Sequence, residues 1–370
     1  MTYLKNLNLI KYDFIVSIIF LSLLLKIENV LTWTILAALS LVTLILLDRK
    51  KKIKGINENN KFILKKSFLF LLIPLFFIRN DPYHLLIFSS LIIYSGVALG
   101  LMFQMGLSGI TNFAVSAVFG VGAYFYGLIS PYYTGLFMIA LSGLTGIIFG
   151  LILIIPTIRT SGHYTALVTI AVAVLFKVFL EVSDYFGGPQ GIKVHELTLF
   201  DKNVSTLFES IGFTIYAGYV ILSGVILVAA FFMILLIKKS WVGNILDTLR
   251  NDEILLSSMG MSPILWKIYA FSIGNFIIAT FGGLYASLLG HIAPANFSFA
   301  ESLIFFSIII IGGMGNIFSI FVGTIIIVLL PEKIQNLQEY RFLFFALLVI
   351  IILMIKPNGI FPQIRRKTFD

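Results

Sequence analysis

The sequence predicts an all-α polytopic membrane protein, with roughly ten to twelve transmembrane helices of about 20 residues each. Three observations predict it. Apolar residues make up 59% of the 370-residue chain and charged residues only 12%, against about 45–50% and about 25% in a soluble domain. Mean hydropathy is +1.03. The apolar residues also gather into long runs without period-2 alternation. Helices, not barrel strands, must therefore satisfy the backbone groups that lipid leaves unpaired. So little charge cannot coat a water-facing surface of this size, which excludes a soluble enzyme, a nucleic-acid-binding domain and a disordered chain. The absence of cysteine excludes disulfides, thiolate metal sites and a cysteine nucleophile.

In chain order the runs are 12–27, 30–47, 67–79, 84–105, 113–129, 134–155, 164–180, 212–237, 266–290, 301–330 and 342–355. Met1 to Lys11 carry no cleavage-site pattern, so the first run reads as an uncleaved helix. The 67–79 run has 13 residues and includes Pro74, which predicts a tilted or partly interfacial segment. Residues 1–82 form an N-terminal extension of about three hydrophobic segments around a basic loop.

Lys and Arg set the orientation. The loop 48–66 holds eight basic residues against Asp48 and Glu58, and the tail 356–370 holds Lys356, Arg365, Arg366 and Lys367. Both are expected in the cytoplasm. With the N-terminus inside, 238–265 is also inside, and 181–211 and 291–300 are outside. A single span over 301–330 would then leave the basic tail outside. That run is interrupted by Gly312, Gly313, Met314, Gly315 and Asn316. Two short segments hinged there return both termini to the cytoplasm, and broken helices are tolerated where they line a cavity or are buried in protein. A second break at Gly106, Gly109 and Asn112 also ends in Asn before a small-residue helix. The pair hints at internal structural repeats, as in many transporters.

Few side chains inside the runs carry chemistry. Lys177 lies four residues before Glu181, on one helix face. It is a candidate pathway or interface charge. The competing reading is a lysine that snorkels to the outer interface and pairs with Glu181. Glu301 reads as interfacial. His84, His163, His195 and His291 fall at loops or run edges without metal-ligand spacing, so no metal or other cofactor is expected. No run carries a central Asp or Glu, which argues against proton coupling, and no phosphate-binding loop is present, so any ATPase must be another chain. Gly96, Gly100, Gly120, Gly122, Gly143, Gly146, Gly150, Gly282, Gly283 and Gly323 predict close helix packing in a compact core.

The most informative polar segment is 238–267, KKSWVGNILDTLRNDEILLSSMGMSPILWK. Ile245, Leu249, Leu256 and Met259 recur near one side, Arg250, Asp252 and Glu253 supply both charge signs, and Ser262-Pro263 start the next helix. A short amphipathic cytoplasmic helix between two spans suits a docking surface, although a solvated connecting helix has the same pattern. In the outer loop 181–211, Gly187-Gly188-Pro189-Gln190-Gly191 is turn-forming, and fits a substrate cover, a partner contact or an ordinary loop alike.

From Arg250 onward the sequence resembles the permease subunits of branched-chain amino acid ABC importers, the LivM-like branch. The resemblance rests on RNDEILLSSMGMSPILWKIYAF, GGLYASLLGHIAPANFSFAESL and GGMGNIFSIFVGTIIIVLLPE, and in order before them on GVGAY at 120–124, YTALVTIA at 164–171 and GGPQGI at 187–192. The closing KPNGIFP at 356–362 is also similar, so coverage is about 85–362. It implies a type II, vitamin-importer-like permease domain over 83–362, with a coupling segment at 238–265 and a basic tail at 363–370. Arg250, Asp252, Glu253 and Gly260 would belong to the coupling helix that docks on the ATPase. Implied partners are two ABC ATPase subunits, a second homologous permease (as a heterodimer or homodimer) and an extracytoplasmic solute-binding protein, all at a prokaryotic plasma membrane.

The chain departs from the family at Val115, where His is frequent, and at Val174 and Lys177, where an acidic residue often precedes the basic one. The expected solutes are branched-chain or other amino acids, with urea, amides or nucleosides as the alternative that these departures raise. A secondary transporter or channel working without an ATPase is the alternative mechanism. A membrane enzyme would need clustered His, Asp or Glu at one face, which the sequence lacks.

Overall fold

A computed structural model of the chain describes residues 81–158, 163–199, 202–209, 214–313 and 319–329, with scattered positions between 343 and 354. The runs 12–27, 30–47 and 67–79 and most of 342–355 lie outside the described residues, as do Gly315 and Asn316.

Among the described residues the protein is mostly helical, and five helices are long and apolar enough to cross a membrane. Helix α1 (Pro82–Met102) starts with proline in its first turn, where a missing N–H costs nothing, and runs into a π-helical turn, Phe103–Leu107. Helices α2 (Val115–Ile129), α3 (Leu136–Ile158) and α4 (His163–Val182) follow. After a short α5 (Val204–Glu209) come α6 (Ala217–Lys239), α7 (Trp241–Asn251) and α8 (Glu253–Ser258). Helix α9 (Pro263–Leu289) opens on Pro263 and closes on Gly290 in the left-handed conformation, φ 70°. Helices α10 (Phe299–Gly312) and α11 (Ser319–Thr324) complete the described part, and a second π-helical turn, Ile325–Leu329, follows α11.

The continuous run 301–330 is therefore two helices. Helix α10 has 14 residues, about 21 Å at 1.5 Å per residue, short of the roughly 30 Å hydrocarbon core. It stops at Gly313, whose φ of 109° is open to glycine. Gly323 then approaches the Ile308 carbonyl and the Gly312 amide, so α11 returns along α10.

Helix α9 is the hub. Its Gly282 meets the backbone of Phe119 and Ala123 on α2, its Gly283 meets Ser142 on α3, and its Ala279 backbone meets Gly122 of α2. On its remaining side Gly274 and Ile278 face Gly100 of α1. Lipid gives helices no hydrophobic drive to associate, so these close approaches supply dispersion contact instead. A side chain at Gly122 would run into the Ala279 carbonyl. Around the hub Phe119, Phe281, Phe297 and Phe305 are fully or almost fully buried. Helix α1 is buried along most of its length, whereas α4 is largely exposed and apolar.

The connections sort onto two faces. On one, β1 (Ile192–Lys193) pairs antiparallel with β4 (His291–Ile292), in register Ile192↔Ile292 and Lys193↔His291, and β2 (Thr198–Leu199) forms a hairpin with β3 (Lys202–Asn203). The turn after α2 joins this face where Thr198 N donates to Thr134 O at 2.9 Å. Helices α7 and α8 lie at the other face, beside the turn that ends α1.

Candidate functional site

The 238–265 segment is two helices rather than one. Helix α7 buries Ile245, Leu246 and Leu249 and exposes Asn244, Asp247 and Asn251. It ends at Asp252, whose extended backbone (φ −157°) cannot continue a helix. The same residue starts α8: its Oδ1 accepts from Ile254 N at 2.8 Å and Leu255 N at 3.1 Å. Glu253 reaches forward to Lys267 on α9, with Nζ–Oε1 at 2.7 Å. Gly260, at φ 78°, makes the turn that ends α8, and a Cβ there would meet nothing.

Leu256 is buried at 1% exposure, with Ile245 and Leu249. Met259, expected on the same side, is instead 62% exposed, because the break at Asp252 resets the helical phase. Ile254 at 82% and Leu255 at 51% are exposed beside it. Asp252 and Glu253 are thus engaged within the chain while Ile254, Leu255 and Met259 face outward. Near the start of the segment, exposed Trp241 stacks edge-on against Trp266, which stacks in turn on Tyr269.

Arg250 turns inward. Its guanidinium donates to the carbonyl of Gly106, in the π-helical turn that ends α1. Gly109, at φ 75°, lies against it: a Cβ there would be 3.0 Å from Arg250 Cγ and 3.2 Å from its Cα. Glycine is required at this position by backbone conformation as well as by space.

Above that turn sits a buried cluster of uncharged polar groups. Gln104 Nε2 donates to Phe271 O at 3.1 Å and to Asn275 Oδ1 at 2.8 Å. Gln104 Oε1 accepts from Asn112 Nδ2 at 2.8 Å, and Asn112 Oδ1 takes the Ala114 amide at 2.9 Å, at the start of α2. All three side chains are fully buried, and Asn275 stands near the middle of the 27-residue α9. Asn275 Nδ2 has no hydrogen-bond partner and lies against Gly150. The non-helical segment 108–114 is held at its far end by Thr169 of α4, which accepts from Phe113 N at 3.1 Å, and Ser302 of α10 accepts from Ser116 N at 2.9 Å. These hydrogen bonds meet the requirement that non-helical backbone at membrane depth be satisfied by protein.

Gly106 and Gly109 are therefore brought together with Arg250, Asn112 belongs to the Gln104–Asn275 cluster, and Gly312 and Gly313 form the separate break after α10. Lys177 pairs with Glu181 at 3.2 Å, both about one-third exposed. His84 lies 3.9 Å from Asp81, and His195 and His291 belong to the opposite loops. Among the described residues no three His, Asp or Glu side chains gather to hold a metal. Sequence reasoning missed Gln104, Asn275, Thr169 and Ser302. A signal existed for the first two, since an amide inside an apolar run is rare.

The family described as branched-chain amino acid transport system / permease component matches residues 83–354. The high-affinity branched-chain amino acid transport system permease protein LivM of Salmonella typhimurium is 28% identical over 291 residues, 74% of this chain and 68% of that protein. LivM of Escherichia coli matches to the same extent. The probable branched-chain amino acid transport permease protein LivM of Methanocaldococcus jannaschii is 22% identical over 329 residues, 73% of this chain and 91% of that protein. No solved structure matches the chain significantly.

Proposed function

The chain belongs to the branched-chain amino acid transport permease family, a family of multi-pass membrane proteins, and from that premise we propose that it is the membrane-spanning subunit of an ATP-driven importer of small polar solutes, branched-chain or other amino acids first among them. Solute crosses unchanged between this chain and a second, homologous permease. An extracytoplasmic binding protein delivers it to the β1–β4 face. Two separate ATPase subunits drive the cycle from the cytoplasmic side of a prokaryotic plasma membrane, the side on which both termini lie.

The observation that carries the docking part of this reading is the apolar triplet Ile254, Leu255 and Met259, exposed on a segment outside the spans. Exposed apolar side chains concentrated on one short helix mark a partner surface, and loss of water from three such side chains favours docking. Asp252 and Glu253 serve that surface by holding it: the first caps α8 and the second ties it to Lys267. Gly260 lets the chain turn back to α9.

Co-expression with the neighbouring genes tests the reading. A tag on this chain should recover an ATP-binding subunit and a second permease. Replacing Ile254 and Leu255 together by Asp should abolish recovery of the ATPase while leaving membrane insertion intact. Full uptake and full ATPase recovery in that double variant would sink the proposed surface. A wild-type chain that purifies alone and moves solute in liposomes without ATP would sink the importer reading.

A further inference from the structure

The Gly106 carbonyl lies in the last turn of α1, where a helix runs out of amides. The Ile110 amide, four residues on and the α-helical partner of that carbonyl, goes to Gln104 O at 3.0 Å instead. The Arg250 guanidinium takes the Gly106 carbonyl, and Gly109 brings the backbone of the break into van der Waals contact with Arg250 down to its Cα. The segment bearing the exposed triplet is thus joined to the helix break by a hydrogen bond and by direct backbone packing. On the inner side of the same turn Gln104 ties the break to Phe271 and Asn275 of α9 and to Asn112. Asn112 leads to α2, and Phe113 to Thr169 of α4. A contiguous set of contacts therefore runs from α7 through the break to the hub and to the exposed helix α4.

We propose that Arg250 is a positioning residue, which locks α7 to the 103–112 break so that a displacement of the docked segment moves the break with it, and that it is not itself a contact of the ATPase. The inference rests on the importer reading. The side chain is half-buried, and its one hydrogen bond goes to a backbone carbonyl of its own chain, so the guanidinium holds the break directly. The residue faces a helix break tied to the hub by side-chain hydrogen bonds, an element with few ladder constraints on a second arrangement.

The complete complex in liposomes, with binding protein and solute, separates the roles. In Arg250→Ala the ATPase subunit should stay bound at wild-type stoichiometry and basal ATP hydrolysis should stay within about twofold. Solute moved per ATP should fall at least about tenfold, and Arg250→Lys should regain part of it, because an ammonium can still donate to Gly106. Loss of the ATPase from the Arg250→Ala complex would make Arg250 a docking residue and overturn the proposal. So would an unchanged ratio of transport to hydrolysis. If the wild-type complex itself lacks an ATPase, the importer reading fails, a different outcome from either.

Discussion

The two faces of the helix bundle are tied in different ways. At the β1–β4 face the backbone does the joining. Two strands pair across 100 residues of sequence, Ile192 with Ile292, and Val194 N donates to Gly290 O at 2.9 Å. Gly191 sits at φ 75°, ψ −165°, pressed against the Ile292 carbonyl. Ser287 on α9 takes the Leu197 amide at 2.9 Å and shares a hydrogen bond with the Tyr219 hydroxyl at 2.9 Å. At the α7–α8 face side chains do most of the joining: Arg250 on Gly106, Glu253 on Lys267, and the buried Ile245, Leu249 and Leu256. Paired backbone strands admit one arrangement, while side-chain contacts at an exposed edge open at lower cost. One end is therefore a rigid platform and the other an adjustable grip.

The comparison breaks most sharply at Gly191. Its conformation is essentially restricted to glycine, so Gly191→Val should cost at least about 1–3 kcal/mol for the backbone alone, with a steric collision against Ile292 added. Thermal unfolding in detergent should show a larger drop for Gly191→Val than for Gln104→Ala, Glu253→Ala or Lys177→Met, and a midpoint equal to wild type would mean that the face is not set by backbone. Next in size is Gln104→Ala, which strands the buried amides of Asn112 and Asn275. The long 3.5 Å hydrogen bond from Asn112 Nδ2 to Asn275 Oδ1 remains, so the loss should total about 1–3 kcal/mol; stability unchanged in chemical or thermal unfolding would remove the polar cluster as a structural element. Glu253→Ala should scarcely change stability, by under about 1 kcal/mol for so exposed a pair, yet it should lower solute moved per ATP several-fold, and equal transport would leave the adjustable-face idea without support. The smallest effect belongs to Lys177→Met. The pair with Glu181 is one-third exposed at a helix end and is worth under about 1 kcal/mol, so both stability and uptake should hold; lost uptake with normal assembly would instead give Lys177 a place on the pathway.

Much of the fold is legible in the sequence. Hydropathy places α1, α3, α4, α6 and α9 within a few residues, and Pro82 and Pro263 open helices as prolines in a first turn do. The interruption at Gly312 and Gly313 is readable as the end of a helix, because two adjacent glycines weaken helix propensity and one of them adopts φ 109°. The division of 238–265 at Asp252 escapes a reading by periodicity, although an Asp followed by Glu and an apolar pair is a helix-start signal. Periodicity carried through that break puts Met259 on the buried side, where the structure does not have it. Arg250 is identifiable as important from its segment, but its direction is invisible, since nothing local tells a side chain to turn toward a carbonyl 144 residues away.

By itself the sequence determined the medium, the helices and their breaks. Partition into lipid adds up residue by residue, and glycine and proline act on the backbone where they stand, so both effects survive without knowledge of neighbours. Only the tertiary structure decided that Gln104, Asn112 and Asn275 share one buried cluster, that Gly191 meets Ile292, and that Arg250 grips the end of α1. Those contacts depend on which helix packs on which and at what depth, and that choice comes from glycine-lined faces closing around α9, a property of surfaces in three dimensions and of no single stretch of chain.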